Sequence, residues 1–106
     1  MSISSKITDE FIPIKAAFES GSIKKMSDLE KQKSTRIAKL IGMNQGRYGA
    51  KLLAPKNFSP SEIIRMSIVF DIDAGLIINV IKKELIQKEL DRINKNIKRM
   101  KSKDQV

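Results

Sequence analysis

The stretch IAKLIGMNQGRYGAKLL, Ile37 to Leu53, leaves the chain few ways to fold. Ile37, Ala38 and Ile41 lie at helical spacing and make one apolar face. Gly42 follows where a helix ends and the backbone turns to positive φ. Met43 is apolar, so the turn is expected to pack down rather than loop out. Asn44 suits the N-cap of a second helix, whose buried face would be Tyr48 and Leu52, four apart. A small residue at Ala38 lets the two helices cross closely. The pattern is helix, glycine turn, helix.

Ile37, Ala38, Ile41, Gly42, Met43 and Tyr48 together make a pattern that resembles the helix-turn-helix of phage repressors and Cro-type regulators. Downstream, NFSPSEIIRMSIVFDIDAGLIINVI resembles the two closing helices of that fold, so the likeness covers roughly the middle half of the chain. There is one departure. The family has an apolar residue three after Tyr48, whereas here that residue is Lys51 and the apolar one is Leu52.

The resemblance implies that Asn44, Gln45, Gly46, Arg47, Gly49, Ala50 and Lys51 form a recognition helix whose N-terminal residues meet base edges in the major groove. Gln45 would bond adenine, Arg47 a guanine or a phosphate, and Lys51 a phosphate. With flanking positions included, the candidate DNA contacts are Ser34, Thr35, Asn44, Gln45, Gly46, Arg47, Lys51, Lys56 and Asn57. The plainer reading is a solvated helix face. It does not explain two glycines, each costing about 1 kcal/mol against alanine in an exposed helix. Gly46-Arg-Tyr-Gly49 also has the spacing of the loop with which KH domains clamp single strands, which would make Ile68-Val69-Phe70 a strand.

Net charge favours the nucleic-acid reading. The chain of 106 residues carries +9, with nine Lys/Arg in residues 24–56 and nine more in 82–103. Such a balance points to an anionic partner, nucleic acid first and membrane surface second. Cys and His are both absent. That removes disulfides, thiol catalysis, the usual zinc ligands and the usual neutral-pH base. Asp71 and Asp73 are read as turn and cap rather than as a catalytic pair. The expectation is a protein that is not an enzyme and uses no cofactor or metal. MSISSKITDE is no signal peptide and no apolar run reaches the ~20 residues of a membrane span, so a cytoplasmic location is expected.

Residues 1–10 read as an arm, and Pro13 in the first turn starts a helix that runs from Ile12 to Ser20 and ends at Gly21. Ser27 and Glu30 have capping-box spacing, and Ser34 or Thr35 would cap the next helix. Ser59-Pro60-Ser61-Glu62 offers an N-cap, a proline at the first helical position and a glutamate at the third. Ile63, Ile64, Met66, Ser67 and Phe70 follow as a buried helix, which argues against a KH sheet. Asp73 caps the last helix, whose start (Leu76, Ile77, Ile78, Val80, Ile81) is apolar nearly all round.

From Ile86 the apolar residues narrow to Ile86, Leu90, Ile93, Ile97 and Met100, a heptad seam. Lys and Arg occur on several faces of this segment and no aromatic lies on the seam, which disfavours a membrane. The seam must fold back on the body or pair with a second copy, and pairing needs no extra surface. The expected architecture is all-α: a compact bundle of five or six helices containing a helix-turn-helix over residues 1–81, with a basic C-terminal extension over 82–106. The expected function is sequence-selective binding of double-stranded DNA by a homodimer, in transcriptional regulation. The alternatives are a protein-interaction module, such as an antitoxin or assembly factor, and a single-strand binder using the Gly46–Gly49 turn.

Overall fold

Local punctuation cuts this chain into helices, and a computed structural model shows where each cut falls. It describes residues 3–104, with side chains to Lys101. The helices are α1 (Ser5–Thr8), α2 (Ile12–Ser20), α3 (Ser34–Leu40), α4 (Gln45–Leu53), α5 (Pro60–Phe70) and α6 (Ala74–Asp104). Short 3-10 turns occupy Asp9–Phe11, Met26–Leu29 and Pro55–Asn57. No strand occurs among the described residues, so the all-α expectation holds. The KH alternative fails with it: Ile68-Val69-Phe70 lies in α5, and Gly46 and Gly49 lie inside α4 rather than in a turn. The outermost positions of the arm (Met1, Ser2) and of the C-terminal extension (Gln105, Val106) lie outside the described residues.

The strongest local signals act as their chemistry requires. Gly21 (φ 78°) and Gly42 (φ 76°) take the left-handed conformation that ends α2 and α3. After Gly42 the chain closes on itself, the Met43 amide donating to the Ala38 carbonyl at 2.9 Å. Asn44 caps α4, its Oδ1 accepting the Arg47 amide at 2.7 Å. At α5, Ser59 Oγ accepts the Glu62 amide (3.1 Å) while Glu62 Oε1 accepts the Ser59 amide (2.8 Å). Removing one half of such a box by Ser59→Ala is expected to lower stability by about 1 kcal/mol, read from the urea midpoint. An unchanged midpoint would mean that the cap contributes nothing. Asp73 caps α6 by accepting the Gly75 amide at 2.6 Å.

Other boundaries differ from expectation. Residues 5–11 are helical, because Ser4 caps α1 by accepting the Lys6 amide, and Phe11 is fully buried. The Met26–Leu29 turn is opened by Asp28, whose carboxylate accepts the Lys24 and Lys25 amides (2.9 and 3.2 Å), not by Ser27 and Glu30. Neither Ser34 nor Thr35 caps α3. Lys33 stands at that position in the left-handed region (φ 49°), while Ser34 donates to the Glu30 carbonyl and Thr35 reaches Gln45. Ile64 and Ile78, expected in the core, are 53% and 47% exposed. Each lies on the outer side of a helix whose buried stripe is already filled by Met66, Val69 and Phe70, or by Ile77 and Ile81.

The core runs from Phe11 to Ile81 and takes residues from the Asp9–Phe11 and Met26–Leu29 turns and from each of α2 to α6. Phe70 sits at its centre with the Phe11 ring 5.7 Å and the Phe18 ring 6.0 Å away. Ile77 and Ile81 carry α6 into this core, and Glu84 fastens its root by accepting the Met26 amide at 3.0 Å. After Leu85 every described side chain is exposed. The helix does not bend back. Its 31 residues run unbroken across the expected boundary at 81–82, giving the molecule a long axis of 66 Å against 28 and 25 Å.

Candidate nucleic-acid interface

Tyr48 and Leu52, exposed by 0% and 1%, bolt α4 to the body. Tyr48 meets the Phe58 ring edge-on at 6.4 Å. Its hydroxyl is buried with no hydrogen-bond partner among the described residues, and burial pushes its pKa far above the ordinary phenol range. The anchor fixes which residues face outward. With about 100° per residue, the side opposite Tyr48 and Leu52 carries Gly46, Ala50 and Leu53, flanked by Arg47. Leu53 is 65% exposed. In the sequence it looks like the second half of an apolar pair, and only its offset from the Tyr48–Leu52 stripe gives its outward direction.

The residues expected to meet DNA divide into free and engaged groups. Arg47 is exposed and takes no part in an ion pair among the described residues. Lys56 and Asn57 are exposed on the turn after α4. Asn44 is exposed but uses its oxygen as the helix cap. Thr35 donates to Gln45 Oε1 at 2.9 Å, which ties α3 to α4 and leaves the Gln45 amide N–H groups as free donors. Ser34 is half-buried, its hydroxyl proton directed at the Glu30 carbonyl (2.6 Å). Gly46 is exposed, and a side chain there would come within 3.4 Å of the Asn44 oxygen.

Lys51 departs from the expected phosphate contact. Its ammonium donates to both Glu62 oxygens at 2.8 and 2.9 Å, and the two side chains are only 16% and 11% exposed. It therefore occupies the position where the resembled family has an apolar residue, and a carboxylate from α5 neutralises it there. The Lys51 and Ser59 hydrogen bonds hold the Glu62 carboxyl below its ordinary value of 4.5. A folded-state pKa below the unfolded one stabilises the fold above the unfolded pKa, and that share is lost as pH falls through the lower value. Stability of the intact chain is thus expected to drop below about pH 4.5, with that drop reduced in Glu62→Gln. Urea midpoints for both chains from about pH 3 to 7 check this. Parallel curves would refute it.

The remaining basic groups near α3 are likewise partly committed. Arg36 grips the Glu10 carboxylate through two bonds of 3.1 and 2.9 Å, and Lys33 donates to the Glu10 carbonyl beside the Phe11 ring. The Arg36 guanidinium holds the Glu10 carboxyl below the usual carboxylate range. What remains on the α4 side is one free guanidinium, the Gln45 amide, Lys56 and Asn57 around a helix face of small and apolar residues. Chemically this face can donate hydrogen bonds to base edges and phosphates and can touch a thymine methyl.

The five seam residues form one exposed stripe on α6: Ile86 49%, Leu90 48%, Ile93 52%, Ile97 43% and Met100 62%. At its root the stripe runs into an apolar groove of about 340 Å³ between α5 and α6, lined by Ile63, Ile78, Ile81, Leu85 and Ile86. Among the described residues no helix is long and apolar enough to cross a membrane. No protein-family model matches this chain, and no curated protein and no solved structure matches it either.

Proposed function

We infer that this chain binds duplex DNA sequence-selectively through α4 and acts as a homodimeric transcriptional regulator of the repressor and Cro type. The observation that carries the reading is Arg47, a free guanidinium near the N-terminal end of a helix anchored by Tyr48 and Leu52, in a chain of net charge +9. A recognition helix needs that combination: a rigid seat, an exposed N-terminal turn and a bidentate donor. Arg47→Ala is expected to weaken binding to a selected duplex by about 1–3 kcal/mol and to leave random duplex nearly unaffected. Equal affinities for both chains, with the helical signal intact, would remove α4 as the reader.

A second copy is the occupant that suits the α6 stripe. The seam keeps a strict four-three spacing, and its flanks are Gln87, Glu89, Asn94 and Asn96. In a parallel pair Glu89 would stand by Asn94 of the second copy and Asn96 by its Lys101, so no like charges meet despite the basic composition of the helix. Parallel pairing also puts both helix-turn-helix bodies at one end, as a two-fold DNA site requires.

The exposed Leu53 beside Gly46 and Ala50 favours one competing reading, in which α4 docks another protein. Salt separates the two, since duplex affinity that rests on phosphate contacts falls steeply with ionic strength. Duplex binding that is absent, or flat with salt, would favour the protein partner.

A further inference from the structure

The side of α6 opposite its apolar seam carries Lys88, Arg92, Lys95 and Arg99, spaced four, three and four. At about 100° per residue these four fall within an arc of about 60°, so they form a stripe rather than a scatter. All four are exposed, and none takes part in an ion pair among the described residues. Two of the carboxylates within a turn of them are directed elsewhere. Glu84, one turn before Lys88, bonds the Met26 amide, and Asp91, one turn before Lys95, accepts from Gln87 at 3.3 Å. Glu89, three residues before Arg92, and Asp91 line the same groove as these cations, and neither is ion-paired with them among the described residues.

The stripe also joins the body. The Pro55–Asn57 turn packs on α6, and Lys56 lines one open groove of about 540 Å³ together with the four cations of the helix. Lys56 lies three residues after the last residue of α4. A row of cations thus leads from the end of the candidate recognition helix out along α6. The row on α6 spans about 16 Å, with successive charges about 4.5–6 Å apart along the axis.

We propose that Lys56, Lys88, Arg92, Lys95 and Arg99 form a phosphate rail, a sequence-independent contact that holds the backbone of the same duplex whose bases α4 reads. This rests on the duplex-binding reading of α4. Pairing of α6 through its seam leaves the rail facing outward on both copies, so the two uses of the helix are compatible. An acidic protein surface is disfavoured, because evenly spaced cations on a straight helix match a regular polyanion and offer no apolar contact of their own.

The test uses the full chain and fluorescence anisotropy with duplexes of selected and random sequence. Lys88→Gln, Arg92→Gln, Lys95→Gln and Arg99→Gln are combined in one variant. A control of equal charge combines Lys6→Gln, Lys24→Gln, Lys25→Gln and Lys31→Gln. Neutralising four phosphate contacts per copy should lower the slope of log affinity against log salt by about three to four units for each copy bound, about seven for the dimer, for both duplexes alike. The control should keep the slope of the intact chain. An unchanged slope in the stripe variant overturns the rail, while Arg47→Ala still reports on α4 separately. Equal loss in both variants overturns it in favour of diffuse charge. Loss of binding to phosphatidylserine vesicles without loss on duplex assigns the stripe to membranes and overturns it too. An intact chain with no salt-dependent duplex binding removes the reading beneath it, and the rail with it.

Discussion

Phe70→Ala is expected to lower the stability of this fold by about 3–5 kcal/mol, the usual result of truncating a fully buried phenylalanine. Phe70 has no exposed surface, and its ring is shared by Phe11 from the first 3-10 turn and Phe18 from α2. Among the described residues no other side chain joins those three elements through aromatic contacts. The loss has two parts: transfer of the ring's surface back to water, and a cavity that the surrounding helices close only in part. A domain of about this size is stable by about 5–15 kcal/mol, so the loss is a large fraction of the total. Urea denaturation followed by circular dichroism reads the change directly. A loss under about 1 kcal/mol would mean that the cluster relaxes around the gap, and that α2 is not held to α5 by Phe70.

The same residues show what was legible beforehand. Gly21, Gly42, Asn44 and the Ser59–Glu62 box act within four residues of themselves, so their chemistry is written in the sequence that surrounds them. Tyr48 and Leu52 were legible for the same reason, as one stripe of one helix. The pairing of Lys51 with Glu62, eleven residues apart, depends on how α4 crosses α5, and helical spacing says nothing of that. One hint existed: a lysine where the resembled family has an apolar residue must bury its stem and find a counter-charge. Thr35 and Gln45 show the same limit, since two polar side chains on adjoining helices look equally available until the crossing is known. The arm was misread because Ser4 and the apolar residues Ile7 and Phe11 make too short a pattern to stand out, yet Phe11 belongs to the core. The stripe of Lys88, Arg92, Lys95 and Arg99 was hidden by Lys83, Lys98 and Lys101 on other faces. Only the structure shows Glu84 and Asp91 bonded elsewhere and no ion pair from Glu89 to the stripe among the described residues.

Leu90→Asp combined with Ile93→Asp is expected to convert a dimer into a monomer. The seam from Ile86 to Met100 is uncovered in a single copy, each of its five side chains between 43% and 62% exposed. Isolated helices of about 12–15 residues are marginal in water, so a projecting segment of this length gains by being covered. The body offers no cover, since α6 leaves it after Leu85 without bending back. Burying a half-exposed Leu or Ile adds about 1 kcal/mol, so ten such side chains in a pair supply on the order of 10 kcal/mol. Association costs about 4 kcal/mol or more of that. A balance of about 6 kcal/mol describes a dimer with a dissociation constant of tens of micromolar, and the concentrations to use in sedimentation run from about one to a hundred micromolar. Leu90 and Ile93 occupy adjacent layers near the middle of the seam, and aspartates there would place four carboxylates against one another across the pair. Each would have to leave water for an apolar layer, at a cost of several kcal/mol. The dissociation constant should therefore rise by at least about a thousandfold, which amounts to a monomer across that range. Both residues are exposed in the single copy, so the body should keep its urea midpoint and show that the change acts on pairing alone. A monomer for the intact chain at a hundred micromolar, or a dimer that withstands both aspartates, would show that a second copy does not cover this helix.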